Sequence, residues 1–222
     1  MSKQFAVIGA GRFGLSVAKT LHELEHEVLV IDKDEERIQE NMNVATQVVQ
    51  ADSTDEMALK SLGVRNFDVV VVAIGQDIQA SILTTLILKE LGVETVVVKA
   101  QNQNHAKVLY KIGASKVVFP ERDMGARVAH NLVTPNILDF IELSDEYSIF
   151  EIIASEKLAG KDLVNLNIRA RFGCNVMAIK NTDKINIAPS AKDVIHEGDI
   201  MVVIGHNDDL KKFQDFVING KR

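Results

Sequence analysis

Three glycines near the start of the chain, Gly9, Gly11 and Gly14, directly follow a short apolar run. This spacing is typical of a phosphate-binding turn between a strand and a helix. The first glycine makes the bend, the second lets backbone approach a pyrophosphate, and the third lets the helix pack closely on the strand. Asp32 ends the next apolar run, where a carboxylate can accept hydrogen bonds from ribose hydroxyls and repel a 2′-phosphate. The pattern predicts binding of NAD(H), ATP or ADP; the alternative role of Asp32 is a helix N-cap within DKDEE.

Arg12 lies inside the glycine turn, where the sequence reads GAGRFG. A diphosphate is already well bound there by backbone N–H groups and the dipole of the following helix. The guanidinium therefore indicates either a contact with a further phosphate or a salt bridge to a neighbouring group. The first possibility favours a module that distinguishes a triphosphate from a diphosphate.

The other candidate contacts end or follow the later apolar runs, because ligands of doubly wound sheets bind beyond the carboxyl ends of the strands. Ser53 with Glu56 also fits a helix capping box, which is the alternative for that segment. Lys99 can pair with a phosphate or with a neighbouring carboxylate. The candidates of this group are Asp52, Ser53, Ala73, Ile74, Gly75, Lys99 and Ala100.

The elements that would position these residues alternate between strands and helices, which is typical of a parallel sheet covered on both faces. Six strands are predicted, at residues 5–9 and in runs ending at Asp32, Asp52, Gly75, Ala100 and Glu121. Helices are predicted at 12–24, 35–42, 54–62, 78–91 and 103–112, three of them followed by Gly63, Gly92 and Gly113 as stops. The fold class is α/β, a doubly wound Rossmann domain with a parallel six-stranded sheet.

The last third of the chain has a different pattern. A helix is predicted at 122–133, and TPN at 134–136 ends it, which places a domain boundary between a domain at 1–134 and a domain at 135–222. The runs SIFEIIA, CNVMAIK, KINIA and DIMVVIG predict strands, and GKDLVNLNIRARFG and DDLKKFQDFVIN predict helices. This order predicts a small α+β domain.

Composition excludes several classes of function. A net charge of −6 and a pI near 5.5 argue against a nucleic-acid-binding surface. Cys174 is the single cysteine, so a reducing cytoplasm is expected and an intramolecular disulfide is excluded. No apolar run approaches the roughly 20 residues that span a bilayer. The 78–91 helix carries more apolar residues than one buried stripe needs, so we expect one face to contact another subunit; a deeply buried core helix is the alternative.

An NAD-dependent oxidoreductase and a redox sensor are the alternatives to a nucleotide-sensing module. A dehydrogenase needs a substrate pocket beside the nicotinamide and an acid/base group. The residues after the nucleotide domain show no cluster that clearly supplies either, and a redox-sensing repressor would need a basic helix-turn-helix. We therefore expect a regulatory protein and not an enzyme.

Motifs throughout the chain identify a family. From about residue 3 to 215 the sequence resembles RCK (regulator of conductance of potassium) gating-ring subunits of Ktr- and Trk-type potassium uptake systems. The resemblance rests on GAGRFG, DSTDE, LGVRNFDVVVVAIG, QASILTTLILKELG, VVKAQN, KVLYKIGASKVVFPERDM, LSDEYSI and IRARFGCNVMAIK. It implies an RCK N-terminal Rossmann domain and an RCK C-terminal domain.

The resemblance further implies a ring of dimers, octameric in this family, at the cytoplasmic face of a membrane subunit that translocates potassium. The first domain would bind ATP or ADP, with NAD(H) possible. Arg12 would contact terminal phosphates across the dimer, and Glu121 would help hold a divalent cation, Mg²⁺ or Ca²⁺, near the γ-phosphates; from the residues alone, Glu121 could equally be a helix N-terminal charge. The residues added to the nucleotide site are Phe13, Lys33, His105 and Glu121.

For the second domain the resemblance implies a site for cyclic di-AMP between two protomers, through which uptake is inactivated. Arg169 would contact a phosphate and Asn175 the adenine. The remaining pocket residues would be Val164, Ala170, Val176 and Pro189. An ordinary domain interface is the alternative for this segment.

Overall fold

The computed structural model describes residues 3–133, 137–182 and 184–219 of the chain. Residue contacts divide the chain into two compact units, Met1–Glu121 and Arg122–Arg222. The predicted break at 134–136, with the domain boundary placed inside it, lies outside the described residues. None of the helices described is long and apolar enough to cross a membrane.

The first unit contains the six-stranded parallel sheet that the sequence predicts. Its strands, in the spatial order β3-β2-β1-β4-β5-β6, are all paired in parallel. They are β1 (Gln4–Ile8), β2 (Glu27–Asp32), β3 (Gln47–Gln50), β4 (Val69–Val72), β5 (Thr95–Lys99) and β6 (Lys116–Val118). From β1 the chain adds β2 and β3 on one side of the sheet, and then β4, β5 and β6 on the other side. The ligand crevice of a doubly wound sheet forms at this change of side, between β1 and β4.

Helices follow the first five strands. They are α1 (Arg12–Glu23), α2 (Glu35–Glu40), α3 (Glu56–Ser61), α4 (Ile78–Glu90) and α5 (Gln103–Lys111), with a 3₁₀ turn at Val64–Asn66. The three predicted stop glycines, Gly63, Gly92 and Gly113, have φ angles of 67°, 84° and 100°. These left-handed conformations confirm them as helix ends, because side chains other than glycine rarely adopt them.

The capping box predicted for Ser53 and Glu56 is wrong. Asp55 caps α3, its side chain accepting a hydrogen bond from the backbone N–H of Met57 at 2.8 Å. Ser53 is buried, and its Oγ lies 2.9 Å from Oγ1 of Thr84 on α4. A buried hydroxyl needs a partner, and Thr84 supplies one inside the unit.

The sixth predicted strand is too long by three residues. β6 ends at Val118, and α6 (Pro120–Val133) begins at Pro120. Proline suits the first helical position because its fixed φ fits the helix and its missing N–H would have no partner there. Glu121 therefore lies in the first turn of a helix and not at the end of a strand.

The α4 helix is buried on one side and partly exposed on the other. Thr84, Thr85 and Leu88 are fully buried, whereas Leu83 and Leu86 are exposed in the single chain. The exposed leucines exclude a helix buried on all sides within this chain. The subunit contact expected for this face stays a prediction.

The second unit is the predicted α+β domain. Its antiparallel sheet has the order β10-β9-β11-β8-β7. The strands are β7 (Ile137–Glu142), β8 (Tyr147–Ile153), β9 (Asn175–Lys180), β10 (Ile185–Ile187) and β11 (Ile200–His206). Most of α6 belongs to this unit, and the helices that follow it are α7 (Leu163–Leu166), α8 (Ile168–Phe172) and α9 (Asn207–Asn219). The sequence did not predict β7, an edge strand whose residues Asp139 and Glu142 interrupt its apolar character.

The single helix predicted over GKDLVNLNIRARFG is two short helices. Asn167 between α7 and α8 has a φ of 44°, a left-handed conformation that asparagine tolerates better than most residues. Cys174, just after α8, is fully buried, as expected of a small core residue. Burial raises the pKa of its thiol to about 11.

Candidate nucleotide-binding site

The glycine turn joins β1 to α1 with almost no space to spare. Gly9 has a φ of 106°, and a Cβ atom there would lie 3.1 Å from the carbonyl carbon of Ala73. A Cβ on Gly14 would lie 1.9 Å from the carbonyl oxygen of Gly9. A Cβ on Gly11 would meet nothing within 4 Å, so this glycine leaves open space in front of the α1 N-terminus. Two glycines are required by packing, and the third leaves room for a ligand.

Asp32, at the carboxyl end of β2, is hydrogen-bonded to the turn itself. Its Oδ2 accepts from the backbone N–H of Ala10 at 2.6 Å, and its Oδ1 accepts from Asp34 N–H at 2.9 Å. Asp34, not Asp32, is the N-cap of α2. The N-cap alternative for Asp32 is therefore wrong. An ionised carboxylate offers about four lone pairs, so Asp32 retains acceptor capacity for ribose hydroxyls beside its two backbone bonds.

Lys99 and Glu121 form an ion pair at the same edge of the sheet. The Lys99 side chain is 12% exposed, and its ammonium donates a hydrogen bond to the Glu121 carboxylate, which is 72% exposed. The pKa of the Glu121 carboxyl lies below its ordinary value, mainly because of this hydrogen bond and also because of the positive charges of Lys99 and Arg12. Arg12, an exposed residue at the start of α1, is thus electrostatically coupled to this pair.

The Lys99 ammonium also lies beside two other residues of the predicted site. It is 5.8 Å from the ring centroid of Phe13, a distance suited to a cation–π contact. A Cβ on Gly75 would lie 3.5 Å from Lys99 Nζ. The structure therefore brings the ends of β4 and β5, the first turn of α1 and the first turn of α6 to one place.

The turn after β5 is built by a residue that sequence reasoning missed. The Gln101 side-chain amide donates to the carbonyl oxygen of Gly75, and its backbone N–H donates to His105 Nδ1 at 3.3 Å. His105 is only 3% exposed, and burial lowers its pKa. The structure thus places His105 inside the unit, where it supports the turn. The position of Gln101 directly after a predicted strand was the available signal.

Lys33 and Asp52 lie at the ends of β2 and β3. Asp52 Oδ1 accepts hydrogen bonds from the Thr54 backbone at 2.9 Å and from its hydroxyl at 2.7 Å. These bonds lower the pKa of the Asp52 carboxyl, and the charge of Lys33 lowers it further. Both side chains are exposed at this edge.

The remaining predicted contacts present mainly backbone. Ala73 and Ala100 are buried, and Ile74 is half-buried. Ala73 N–H donates to the carbonyl of Ile8 at 2.7 Å, which extends the β1–β4 pairing up to the glycine turn. Small residues here let a ligand approach the main chain closely.

Divalent-cation binding at Glu121 would need ligands beyond protein side chains. Within the described ranges, no group of three or more His, Cys, Asp or Glu residues is arranged to hold a metal ion. Mg²⁺ commonly binds through one or two carboxylates together with nucleotide phosphates and water. A single exposed carboxylate at the phosphate end of the site fits that coordination.

The residues predicted to bind cyclic di-AMP come from neighbouring segments of the second unit. Val164 N–H donates to the carbonyl of Ala191 at 3.0 Å, which ties α7 to the segment after β10. That segment is tied in turn to β9, because Ala188 N–H donates to the carbonyl of Met177 at 2.8 Å. Four of the predicted residues are exposed and two are half-buried; they are Val164, Arg169, Ala170 and Asn175, and Val176 and Pro189.

Comparison with known proteins agrees with this two-part architecture. Residues 5–120 match the model of the TrkA-N domain, and residues 147–217 match that of the TrkA-C domain. The chain is 54% identical over 221 residues to Ktr system potassium uptake protein C of Bacillus subtilis (strain 168), covering 100% of both sequences. It is 50% identical over 214 residues to Ktr system potassium uptake protein A of the same strain, covering 96% of each.

A solved structure, the crystal structure of the GsuK RCK domain, has the same fold. Its TM-score is 0.53 at 25% sequence identity, and the match covers 97% of this chain. The chain spans 46% of the length of that structure. The likeness thus extends over both units of the present chain.

Proposed function

This chain belongs to the family of Ktr-type regulatory proteins of potassium uptake, and we propose that it binds ATP and ADP to control a membrane subunit that translocates potassium. The TrkA-N and TrkA-C domains and the identity to two Ktr proteins over nearly their whole lengths support this proposal. One observation supports nucleotide binding above the others. The glycine turn, Asp32, Arg12 and the Lys99–Glu121 pair all lie at the carboxyl ends of the parallel strands.

The distinction between ATP and ADP must arise at the γ-phosphate, because the two ligands share adenine, ribose and the diphosphate. A ligand shifts a conformational equilibrium only by its difference in affinity for the two states. In the proposal, Arg12 contacts the terminal phosphate across a dimer, and Glu121 holds a divalent cation, Mg²⁺ or Ca²⁺, beside it. The cation supplies positive charge between the carboxylate and the phosphates.

Cyclic di-AMP is the proposed ligand of the second domain. The exposed Arg169 and Asn175 would contact its phosphate and adenine, and small apolar side chains would line the rest of the pocket. Its effect would oppose that of ATP, and coupling between two such sites is reciprocal. The proposed assembly is a ring of dimers, eight chains in all, in the cytoplasm at the inner face of the membrane.

Calorimetric titration of the full chain tests this proposal. ATP, ADP, NADH and cyclic di-AMP are titrated with and without Mg²⁺ or Ca²⁺, and particle size is followed by light scattering. We expect ATP binding that a divalent cation strengthens, and a ring whose size differs between ATP and ADP. Binding of NADH alone, with neither an ATP response nor assembly, would contradict the proposal and favour a redox role.

A further inference from the structure

The Lys99–Glu121 pair joins two groups with opposite solvent environments. The lysine stem is largely buried along the end of β5, whereas the glutamate is exposed at the start of α6. The buried stem keeps the ammonium near the carboxylate, and the exposed carboxylate stays accessible to ions from solvent. In the proposed function, the Glu121 carboxylate binds a divalent cation. The Lys99 ammonium is already paired with this same carboxylate.

An ammonium and a divalent cation compete for one carboxylate. Both are positively charged, and each would repel the other at the distances of direct contact. Lysine is a compact point charge on a flexible stem, so its ammonium can change partners without a movement of the backbone. Its neighbours Phe13 and Gly75 both belong to the predicted nucleotide site. A terminal phosphate bound at the start of α1 would therefore be an alternative partner for the same ammonium.

We propose that the Lys99 ammonium blocks divalent-cation binding at Glu121 until the terminal phosphate of a triphosphate draws the ammonium away. Lys99 thus acts as a tethered counter-ion that exchanges one anionic partner for another. The carboxylate becomes available to the cation only when the phosphate is present, so cation and triphosphate bind cooperatively. This inference rests on the proposed function, and it adds a residue that makes the cation site depend on the nucleotide.

The test measures Mn²⁺ binding to the full chain by electron paramagnetic resonance, which reports the free ion directly. Lys99→Met keeps the length and the apolar stem of the side chain but removes its charge. In the ADP-bound form, we expect the variant to bind Mn²⁺ at least about tenfold more tightly than the parent chain, the scale on which an opposite charge changes a carboxylate's proton affinity. The strengthening of Mn²⁺ binding by ATP should shrink accordingly.

Lys60→Met is the matched control, because Lys60 forms an exposed ion pair with Glu56 elsewhere in the same unit. It should leave Mn²⁺ binding unchanged in every nucleotide state. Lys99→Gln replaces Lys99→Met if the latter does not fold. Unchanged or weaker Mn²⁺ binding by the ADP-bound Lys99 variant, when the parent chain binds ATP and Mn²⁺ together, overturns the inference alone. A parent chain that binds no ATP overturns the proposed function, and the inference with it.

Discussion

A Cβ atom on Gly14 would lie 1.9 Å from the carbonyl oxygen of Gly9. The start of α1 is thus packed directly against the backbone of the turn that precedes it, with no space for a methyl group. Gly14→Ala should destabilise the protein by about 3 kcal/mol, because overpacking here displaces backbone and not a flexible side chain. Nucleotide binding should be lost with the geometry of the turn. Urea denaturation and calorimetry measure the two effects.

Gly11→Ala is the comparison for that substitution. A Cβ there meets nothing within 4 Å, and Gly11 has a φ of −82°. The free energy of unfolding of the Gly11→Ala variant should stay within about 0.5 kcal/mol of the parent value. Nucleotide affinity should still fall, because the added methyl group occupies the space left for the pyrophosphate. Equal stability of the two variants would contradict the packing argument.

Asp32→Asn tests the carboxylate that bonds to the turn. An amide presents one oxygen and one NH₂ group, so it cannot accept from both Ala10 and Asp34 in the geometry of the carboxylate. Leaving a buried donor without a partner costs about 1–3 kcal/mol, and we expect the free energy of unfolding to fall by that amount. Nucleotide affinity should fall too, with ATP and ADP affected equally, because both carry the same ribose.

Asp34→Asn is the control for Asp32→Asn, since asparagine caps helices about as well as aspartate. It should change neither the stability nor the nucleotide affinity by more than about 0.5 kcal/mol. An Asp32→Asn variant as stable as this control would show that the Ala10 hydrogen bond does not hold the turn.

Arg12→Ala tests discrimination between ATP and ADP. The proposed contact is with the γ-phosphate, which ADP lacks. ATP affinity should therefore fall about tenfold, within the range of a charge-assisted hydrogen bond, whereas ADP affinity should change much less. Calorimetric titration of both nucleotides at one salt concentration measures the ratio. Arg65→Ala removes an exposed arginine that precedes β4, at the opposite edge of the sheet, and should change neither affinity. Equal weakening of ATP and ADP by Arg12→Ala would rule out the assignment.

His105 should make the stability of the protein depend on pH. Burial holds its pKa below the ordinary value of 6.5, so the unfolded chain takes up a proton at a higher pH than the folded chain does. The free energy of unfolding therefore decreases as pH falls below about 6.5, by at most about 1.4 kcal/mol per pH unit, until the folded pKa is reached.

His105→Gln removes this titration while still offering an acceptor oxygen to Gln101 N–H. Urea denaturation of the parent chain and the variant between pH 5 and pH 8 measures the effect. The difference between their free energies of unfolding should change as pH falls, because only the parent chain loses the stability due to a neutral His105. Parallel stability curves would show that His105 does not titrate differently in the two states.

Much of the first unit follows from local sequence signals. Alternating strand and helix patterns, the spacing of Gly9 to Gly14, and the stop glycines predict the parallel sheet and the turn at its edge. These signals depend on backbone geometry close in sequence, so they can be interpreted without tertiary contacts. The predictions fail where contacts between residues distant in sequence determine the conformation or the hydrogen-bond partner. Ser53 fits a cap by spacing, but it bonds to Thr84 on a helix distant in sequence.

The second unit was harder to predict for the same reason. Asn167 can continue a helix by propensity, yet it takes a left-handed conformation between α7 and α8. The Lys99–Glu121 pair joins residues from two separate elements, so no local pattern indicates that Lys99 has a carboxylate as its partner. The sequence suggested a phosphate and a carboxylate as candidates, and the contact with the Glu121 carboxylate is visible only in the fold.

The hydrogen bond from Ala10 N–H to Asp32 has a thermodynamic consequence for ligand recognition. It fixes the glycine turn from the neighbouring strand, so the turn is preorganised. A ligand that enters a preorganised site loses little affinity to the ordering of the protein. Because the turn is already fixed, ligand binding changes its conformation little. A conformational response to the ligand must then come from the long side chains beside the turn. We therefore expect the glycine turn to bind the ligand without moving, and the side chains of Arg12 and Lys99 next to it to change position in response.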